Sequence, residues 1–475
     1  MFIRTRLAIM MFLEFFIWGA WLPLIFGYLP SLGFNADWQQ PLILGAFNIA
    51  AFAAMFFSTQ FADRNFAAER FVAFSHLVGG LAILGLFWVK PEVLGESTDT
   101  LFWAFFALML VHSLFYVPTI SITNSIAFAN LKDPQHEFGP VRLWGTIGWI
   151  AASWPFVFIL VDWNSVPAYG SVGMTEWLGA VLGTSKTGAD LRQATSYTFV
   201  AAGAASLLLA LFSLFLPHTP PKPASAGAER FAWLESMKLL SKPFVLVLFL
   251  ITFIDAAVHQ SYFFWTGRYL EQGVGIPGNW VMPVMSIGQI AEVATMAFLG
   301  IVLKNLGWRT TMVIGILGHA GRFAVFAFLP YPAFAITVNV LHGICYAFFF
   351  ATVYIFVDEF FPKDARSSAQ GLFNFLILGV GPFVGNFISA RLGVAYGVGD
   401  QFDFQKIFVV PFITAVVAAV LLLLFFHPPP RAIEHRDMGL DPEWMEQGDQ
   451  PSGPPPGTPA PPPGTDERIQ RDRRG

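Results

Sequence analysis

The feature that most constrains this chain is a succession of apolar stretches, each long enough to cross a bilayer, recurring from residue 7 to residue 427. About 20 apolar residues span the hydrocarbon as a helix. In lipid every backbone N–H and C=O must be bonded within the chain, which leaves helices or a closed barrel. Strand-like alternation is missing, so a barrel is excluded. Only 12% of the residues are charged, against roughly 25% in a soluble domain. The 53 phenylalanines suit lipid-facing helices and would aggregate on a water-exposed surface. Cys345 is the only cysteine and lies inside an apolar run, which excludes disulfides and cysteine metal sites. No basic patch suits nucleic acid.

The spacing predicts twelve helices, near 7–30, 41–62, 70–90, 101–129, 139–162, 196–217, 243–270, 279–303, 308–329, 333–358, 367–393 and 405–427. The basic Met1–Arg6 precedes a long run containing Glu14 and no small-residue cleavage site, which reads as an uncleaved first helix rather than a signal peptide. Residues 163–195 read as a Gly- and Ser-containing loop. The polar 218–242 segment divides an N-terminal half, 1–217, from a C-terminal half, 243–427. The Pro-rich tail, 428–475, has little apolar surface and is expected to be disordered. One set of loops carries Arg4, Arg6, Arg64, Arg70, Lys132, Lys222, Arg230, Lys238, Lys242, Lys304, Arg309, Lys363, Arg366, Arg431 and Arg436. The other carries mainly Lys90, Lys186, Arg192 and Arg268. The positive-inside rule makes the first set, and both termini, cytoplasmic. The expectation is a multi-pass protein of a bacterial-type inner membrane.

Polar side chains at bilayer depth are expensive and mark function by default. Arg142, Thr146 and Trp149 stand at i, i+4 and i+7, on one face of the fifth span. Arg and Thr suit hydroxyls and carbonyls, and Trp suits a flat ring. The plainer alternative is that Arg142 snorkels to the interface while the nearby glycines pack helices. Gln289 and Glu292 lie at i, i+3 in the eighth span. At that depth burial favours a neutral carboxyl, so Glu292 suits a proton carrier; Glu14 and Asp255 are further intramembrane acids. Span seven adds His259, Gln260 and Tyr262, and span ten adds Asn339, His342 and Tyr346. Together these point to a polar cavity between helices. Asp63 and Arg64, ending span two, suit a charge-paired gate, and Leu303–Arg309 is the equivalent loop of the second half. No catalytic constellation and no metal-ligand spacing is present, so neither an enzyme nor a bound cofactor is expected.

Six ordered segments spread over both halves carry a resemblance: Phe15–Trp21, Tyr116-Val-Pro-Thr119 with Asn124, Arg142-Leu-Trp-Gly-Thr-Ile-Gly148, Ser286–Glu292, Arg322–Phe326 and Arg366–Gly371. Together they resemble the nucleoside:proton symporters of the major facilitator superfamily. The resemblance implies an all-α fold of two pseudo-symmetric six-helix halves around a midplane site. It implies that Arg142, Thr146, Gln289 and Glu292 fall on binding positions, that Trp149 falls where the family has an aromatic residue, and that His259 or Gln260 falls near a family Gln. Span ten departs: the family has Tyr, Phe and Asp where this chain has His342, Tyr346 and Ala347. Glu14 stands where a Gln is expected. The implied activity is proton-coupled uptake of a nucleoside, with protons as the coupling ion, the lipid bilayer as surroundings and no obligatory protein partner. A sugar or another polyhydroxylated solute suits the same residues, and a nucleoside sensor that moves nothing is the alternative from another class.

Overall fold

A computed structural model describes residues 3–54, 65–221, 237, 239–361, 363–399 and 401–428. The expected gate residues Asp63 and Arg64, most of the 218–242 segment and nearly all of the tail lie outside the described residues. Among the described residues, nine helical runs are long and apolar enough to cross a membrane. One of them, Gly278–Phe328, has 51 residues, twice what a single crossing needs. It is broken at Gly307, whose φ of 72° and ψ of 172° belong to the left-handed region that favours glycine. The helices are α1 (Ile3–Ser31), α2 (Gln39–Ala53), α3 (Ala68–Gly85), α4 (Thr98–Asn130), α5 (Pro134–Ser153), α6 (Gly188–Ser213) and α7 (Pro243–Arg268). They continue as α8 (281–306) and α9 (308–328) on either side of Gly307, α10 (Pro332–Phe360), α11 (Ala369–Tyr396) and α12 (Phe404–Phe425).

Local chemistry sets several boundaries. The Ser97 hydroxyl accepts from Thr100 N at the start of α4, and the Asp403 carboxylate accepts from Lys406 N at the start of α12, two side-chain N-caps. Pro243 opens α7, where its missing N–H leaves nothing unpaired. Residues 163–195 are not the plain loop expected. Met174–Gly183 is a helix, with Val181 buried, because Met174, Trp177, Leu178 and Val181 fall on one face at helical spacing. Helix α6 also starts earlier than hydropathy suggests, at Gly188, its polar first turns projecting beyond the apolar run.

The two halves pack alike. In the first, α1 packs on α5 and α6, α2 on α4, and α3 on α4 and α6. In the second, α7 packs on α11 and α12, α8 on α10 through Gly288 and Gly343, and α9 on α10 and α12 through Gly315 and Phe326 against Phe408. This is the pseudo-symmetric, all-α major facilitator arrangement. The halves meet along α2 with α11, α5 with α8 and α1 with α7. Large apolar side chains such as Phe74, Leu81, Leu211 and Phe425 are exposed, as lipid-facing surfaces require. Two close approaches position the interior. Gly148 of α5 lies against the Phe12 carbonyl of α1, and Gly343 of α10 lies against the backbone of Ala291 and Glu292; neither leaves room for a side chain.

Candidate functional site

The α1–α5 approach brings Phe15 and Trp18 beside the polar face of α5. The Arg142 guanidinium lies over the Phe15 ring, 3.8 Å from its centroid, a cation–π geometry. Trp18 meets Trp149 edge-on at 5.3 Å and stacks on Phe47 of α2 at 4.8 Å. From the other half, the α8–α10 approach places Glu292 and Tyr346 where both act electrostatically on Arg142. Arg142, Thr146, Trp149, Glu292 and Tyr346 are all half-buried, so each keeps a surface that a solute can touch. Gln289 is buried, and its Oε1 has no hydrogen-bond partner, an acceptor left open beside Glu292. Tyr346 begins a stretch of π-helix, Tyr346–Ala351, a local widening frequent at functional sites; the Thr352 hydroxyl donates to the Ala347 carbonyl at 3.1 Å across it.

The remaining expected residues fall elsewhere. Gln260 Nε2 donates to Asn386 Oδ1 at 2.8 Å, Asn386 Nδ2 donates to Asn48 Oδ1 at 3.4 Å, and Asn48 Nδ2 donates to the Leu378 carbonyl at 2.8 Å. This ladder ties α7 and α11 to α2 across the halves. Tyr262 is fully buried, under the Arg322 guanidinium at 3.8 Å, and donates to Asn339 Oδ1 at 2.8 Å. His342 is buried too. It accepts from Arg322 Nη1 at 3.0 Å, and its ring lies 5.1 Å from that of His259. Arg322 Nη2 donates to His319 Nδ1 at 3.0 Å, and His319 Nε2 stands 3.4 Å from Asp255 Oδ2. Arg322 is fully buried and links α9 to α10.

Glu14 lies in the first half, fully buried. Its Oε2 accepts from His76 Nε2 at 2.9 Å and its Oε1 from the Thr119 hydroxyl at 2.9 Å. The Ser206 Oγ lies 2.9 Å from His76 Nδ1 and 3.0 Å from the His76 carbonyl. The sequence reading passes over His76, His112 and His319. The signal it lacked is a shared spacing: His76-x-x-Gly79 on α3 against His319-x-x-Arg322 on α9, and His112-x-x-x-Tyr116 on α4 against His342-x-x-x-Tyr346 on α10.

On the face away from the N-terminus the halves are tied together. Arg268 Nη2 donates to the Phe26 carbonyl at 2.8 Å and to Gln40 Oε1 at 3.2 Å. Arg391 pairs with Asp37 at 2.9 Å. The Trp280 indole donates to the Leu182 carbonyl at 2.7 Å and Asn279 Nδ2 to the Val157 carbonyl at 3.1 Å, so the Met174–Gly183 helix caps the junction.

A helical bundle in two like halves, with Arg142 and Glu292 acting on each other electrostatically from opposite halves, defines a secondary transporter of the major facilitator fold. The sequence profile of the family described as "Nucleoside H+ symporter" matches residues 1–169 and 159–431, and the chain belongs to that family. It is 31% identical over 392 residues to the putative nucleoside transporter YegT of Escherichia coli, covering 80% of this chain and 82% of that one. It is 27% identical to the xanthosine permease of Escherichia coli over 86% of this chain and 92% of the relative. The crystal structure of the nucleoside transporter NupG superposes with a TM-score of 0.72 at 23% identity, over 90% of this chain and all of that one. That of a bacterial homologue of the lysosomal transporter Spinster, inward-facing and unoccupied, gives 0.65 at 14% identity over 89% of this chain and 96% of that one; both show the fold. The protein is thus a multi-pass bacterial-type membrane transporter that takes up nucleosides with protons.

Proposed function

We propose that the nucleoside binds between Arg142, Thr146 and Trp149 of the first half and Gln289, Glu292 and Tyr346 of the second. The base stacks on Trp149 or Tyr346, and the ribose hydroxyls bond to Arg142, Gln289 and Glu292. The observation that carries this reading is that α5 packs on α8 across the halves, with Arg142 and Glu292, both half-buried, within electrostatic reach of each other. Glu292 holds the coupled proton: Arg142 beside it favours the carboxylate, and moving Arg142 away favours the acid. Rocking of the halves changes that separation, so each exposure of the site changes the affinity for the proton.

The N-terminal face is cytoplasmic in this reading, which the arginine and lysine distribution supports. The ties through Arg268, Arg391 and Trp280 then close the periplasmic side, the arrangement of an inward-facing state. The test is nucleoside uptake into proteoliposomes under an imposed pH gradient. Glu292→Gln keeps the shape but cannot titrate. It lowers the accumulation ratio at equilibrium by about tenfold per pH unit imposed, the driving force of one proton. An unchanged ratio removes Glu292 as the carrier. A protein that concentrates a sugar and ignores nucleosides rejects the nucleoside pose while leaving the proton assignment standing.

A further inference from the structure

The two halves carry matching polar clusters built at matching places. The acid is on the first helix of each half (Glu14, Asp255), a histidine on the third (His76, His319), and a His-x-x-x-Tyr pair on the fourth (His112 with Tyr116, His342 with Tyr346). The acids and histidines meet in both halves, but the hydrogen bonding differs. In the first half both Glu14 oxygens and both His76 ring nitrogens have partners, and His112 Nδ1 donates to the Gly79 carbonyl at 2.9 Å. In the second, Arg322 stands at the place of Gly79, and neither Asp255 oxygen has a hydrogen bond; His319 Nε2 and Arg322 Nε also lack one. Buried polar atoms left unbonded in one state of a protein need an explanation, and a group that is bonded only in another state supplies one.

We propose that Asp255, with His319 and Arg322, is a second proton site of this transporter, alternately loaded and emptied during transport. The inference rests on the reading of the chain as a proton symporter. Arg322 has no acceptor atom and keeps its charge, so both imidazoles it touches accept through Nδ1 and carry their proton on Nε2. His319 Nε2–H therefore points its donor toward Asp255 Oδ2 across the 3.4 Å gap. The other titratable groups around the cluster are His259 and Tyr262 of α7 and His342 and Cys345 of α10; from α12, Phe408 packs on Phe323, next to Arg322, and does not titrate. Among the described residues, Asp255 is the one carboxyl acting on Arg322, beside Cys345 and Tyr262.

Two costs then oppose each other. An ionised Asp255 lacks donors, and a neutral Asp255 leaves Arg322 without a counter-charge. The His319–Asp255 gap decides between them. Closing it gives the carboxylate a donor and releases the proton to water; opening it lets a hydronium ion give its proton to an Asp255 oxygen, forming the O–H and leaving water. The observed gap, with no hydrogen bond, is the loaded state. His319 moves Arg322, Arg322 moves His342, and His342 packs against Gly288, where an added Cβ would stand 2.9 Å from its own Cβ. That residue adjoins Gln289 of the substrate wall, so the change of protonation at Asp255 is felt at the substrate wall through packing contacts.

The test uses the full chain in proteoliposomes and has two arms. In pH-difference infrared spectra, the wild type shows a carboxylic-acid C=O band that Asp255→Asn removes and Glu14→Gln leaves in place. In nucleoside accumulation at equilibrium, the slope of log accumulation ratio against imposed pH difference is about two for the wild type and about one for Asp255→Asn, one tenfold step per proton. A band untouched by Asp255→Asn, or a slope equal to that of the wild type, overturns the proposal. If Asp255→Asn does not fold, His319→Gln shifts the same band by changing the donor facing the acid; an unshifted band overturns it. The infrared arm needs no substrate, so a chain that moves no nucleoside rejects the functional reading while still deciding Asp255.

Discussion

Glu14 with His76 and Asp255 with His319 are the same pair of residue types at the same places in the two halves, yet one is fully bonded and the other is not. The first pair sits among Thr119, Ser206 and the Tyr116 hydroxyl, which donates to the Glu14 carbonyl at 2.6 Å. Both His76 ring nitrogens and both Glu14 oxygens thus have partners in one fixed geometry. The second pair has the guanidinium of Arg322 in place of neutral donors and acceptors. The lesson is that an intramembrane acid–histidine pair builds either a rigid brace or a switch, according to whether its neighbours satisfy it in one geometry.

The comparison breaks most readily at the brace. His76→Ala leaves the Glu14 carboxylate buried without its main partner, and destabilisation of about 3–5 kcal/mol is expected, read as a large fall in the thermal midpoint of the purified protein. Asp255→Asn removes no hydrogen bond and costs less than about 1 kcal/mol. Equal losses for the two variants would erase the distinction between brace and switch.

At the substrate wall, Arg142→Ala weakens nucleoside binding by about 1.5–3 kcal/mol, the worth of a charge-assisted hydrogen bond. Trp149→Ala weakens it by about 0.5–1.5 kcal/mol through lost stacking. Titration by calorimetry reads both; normal affinity in both folded variants moves the site off α5. Gly343→Ala drives a methyl into the Ala291–Glu292 backbone and is expected to cost about 1–3 kcal/mol in stability through overpacking, with Glu292 displaced. The smallest effect is at the tail: ending the chain after Pro430 is expected to leave uptake near the wild-type rate, since that composition builds no core.

Much of the fold is legible in the sequence. Hydropathy located most of the helices, because lipid demands long apolar runs; among the described residues nine runs meet that demand. The Arg142–Thr146–Trp149 stripe and the Gln289–Glu292 pair were legible because their residues share one turn or two of a single helix. The Met174–Gly183 helix was hidden by its short length among glycines and serines. The clusters were less legible, since their partners are joined only by tertiary packing: Glu14 and His76 are 62 residues apart, and nothing periodic connects them. Gln260 reads as a ligand from its depth, yet Asn386, 126 residues on, takes its donor. Arg322 was visible as part of a family segment, and its role emerged only from what it touches.

The proposed transport cycle turns on Glu292 of the second half, within electrostatic reach of Arg142 of the first, carrying a proton. The most direct measurement is the equilibrium accumulation ratio of a nucleoside in proteoliposomes across a series of imposed pH differences, for the wild type and Glu292→Gln. The account predicts that the logarithmic slope falls by about one unit in the variant, the loss of one proton. An identical slope for the two proteins would contradict it.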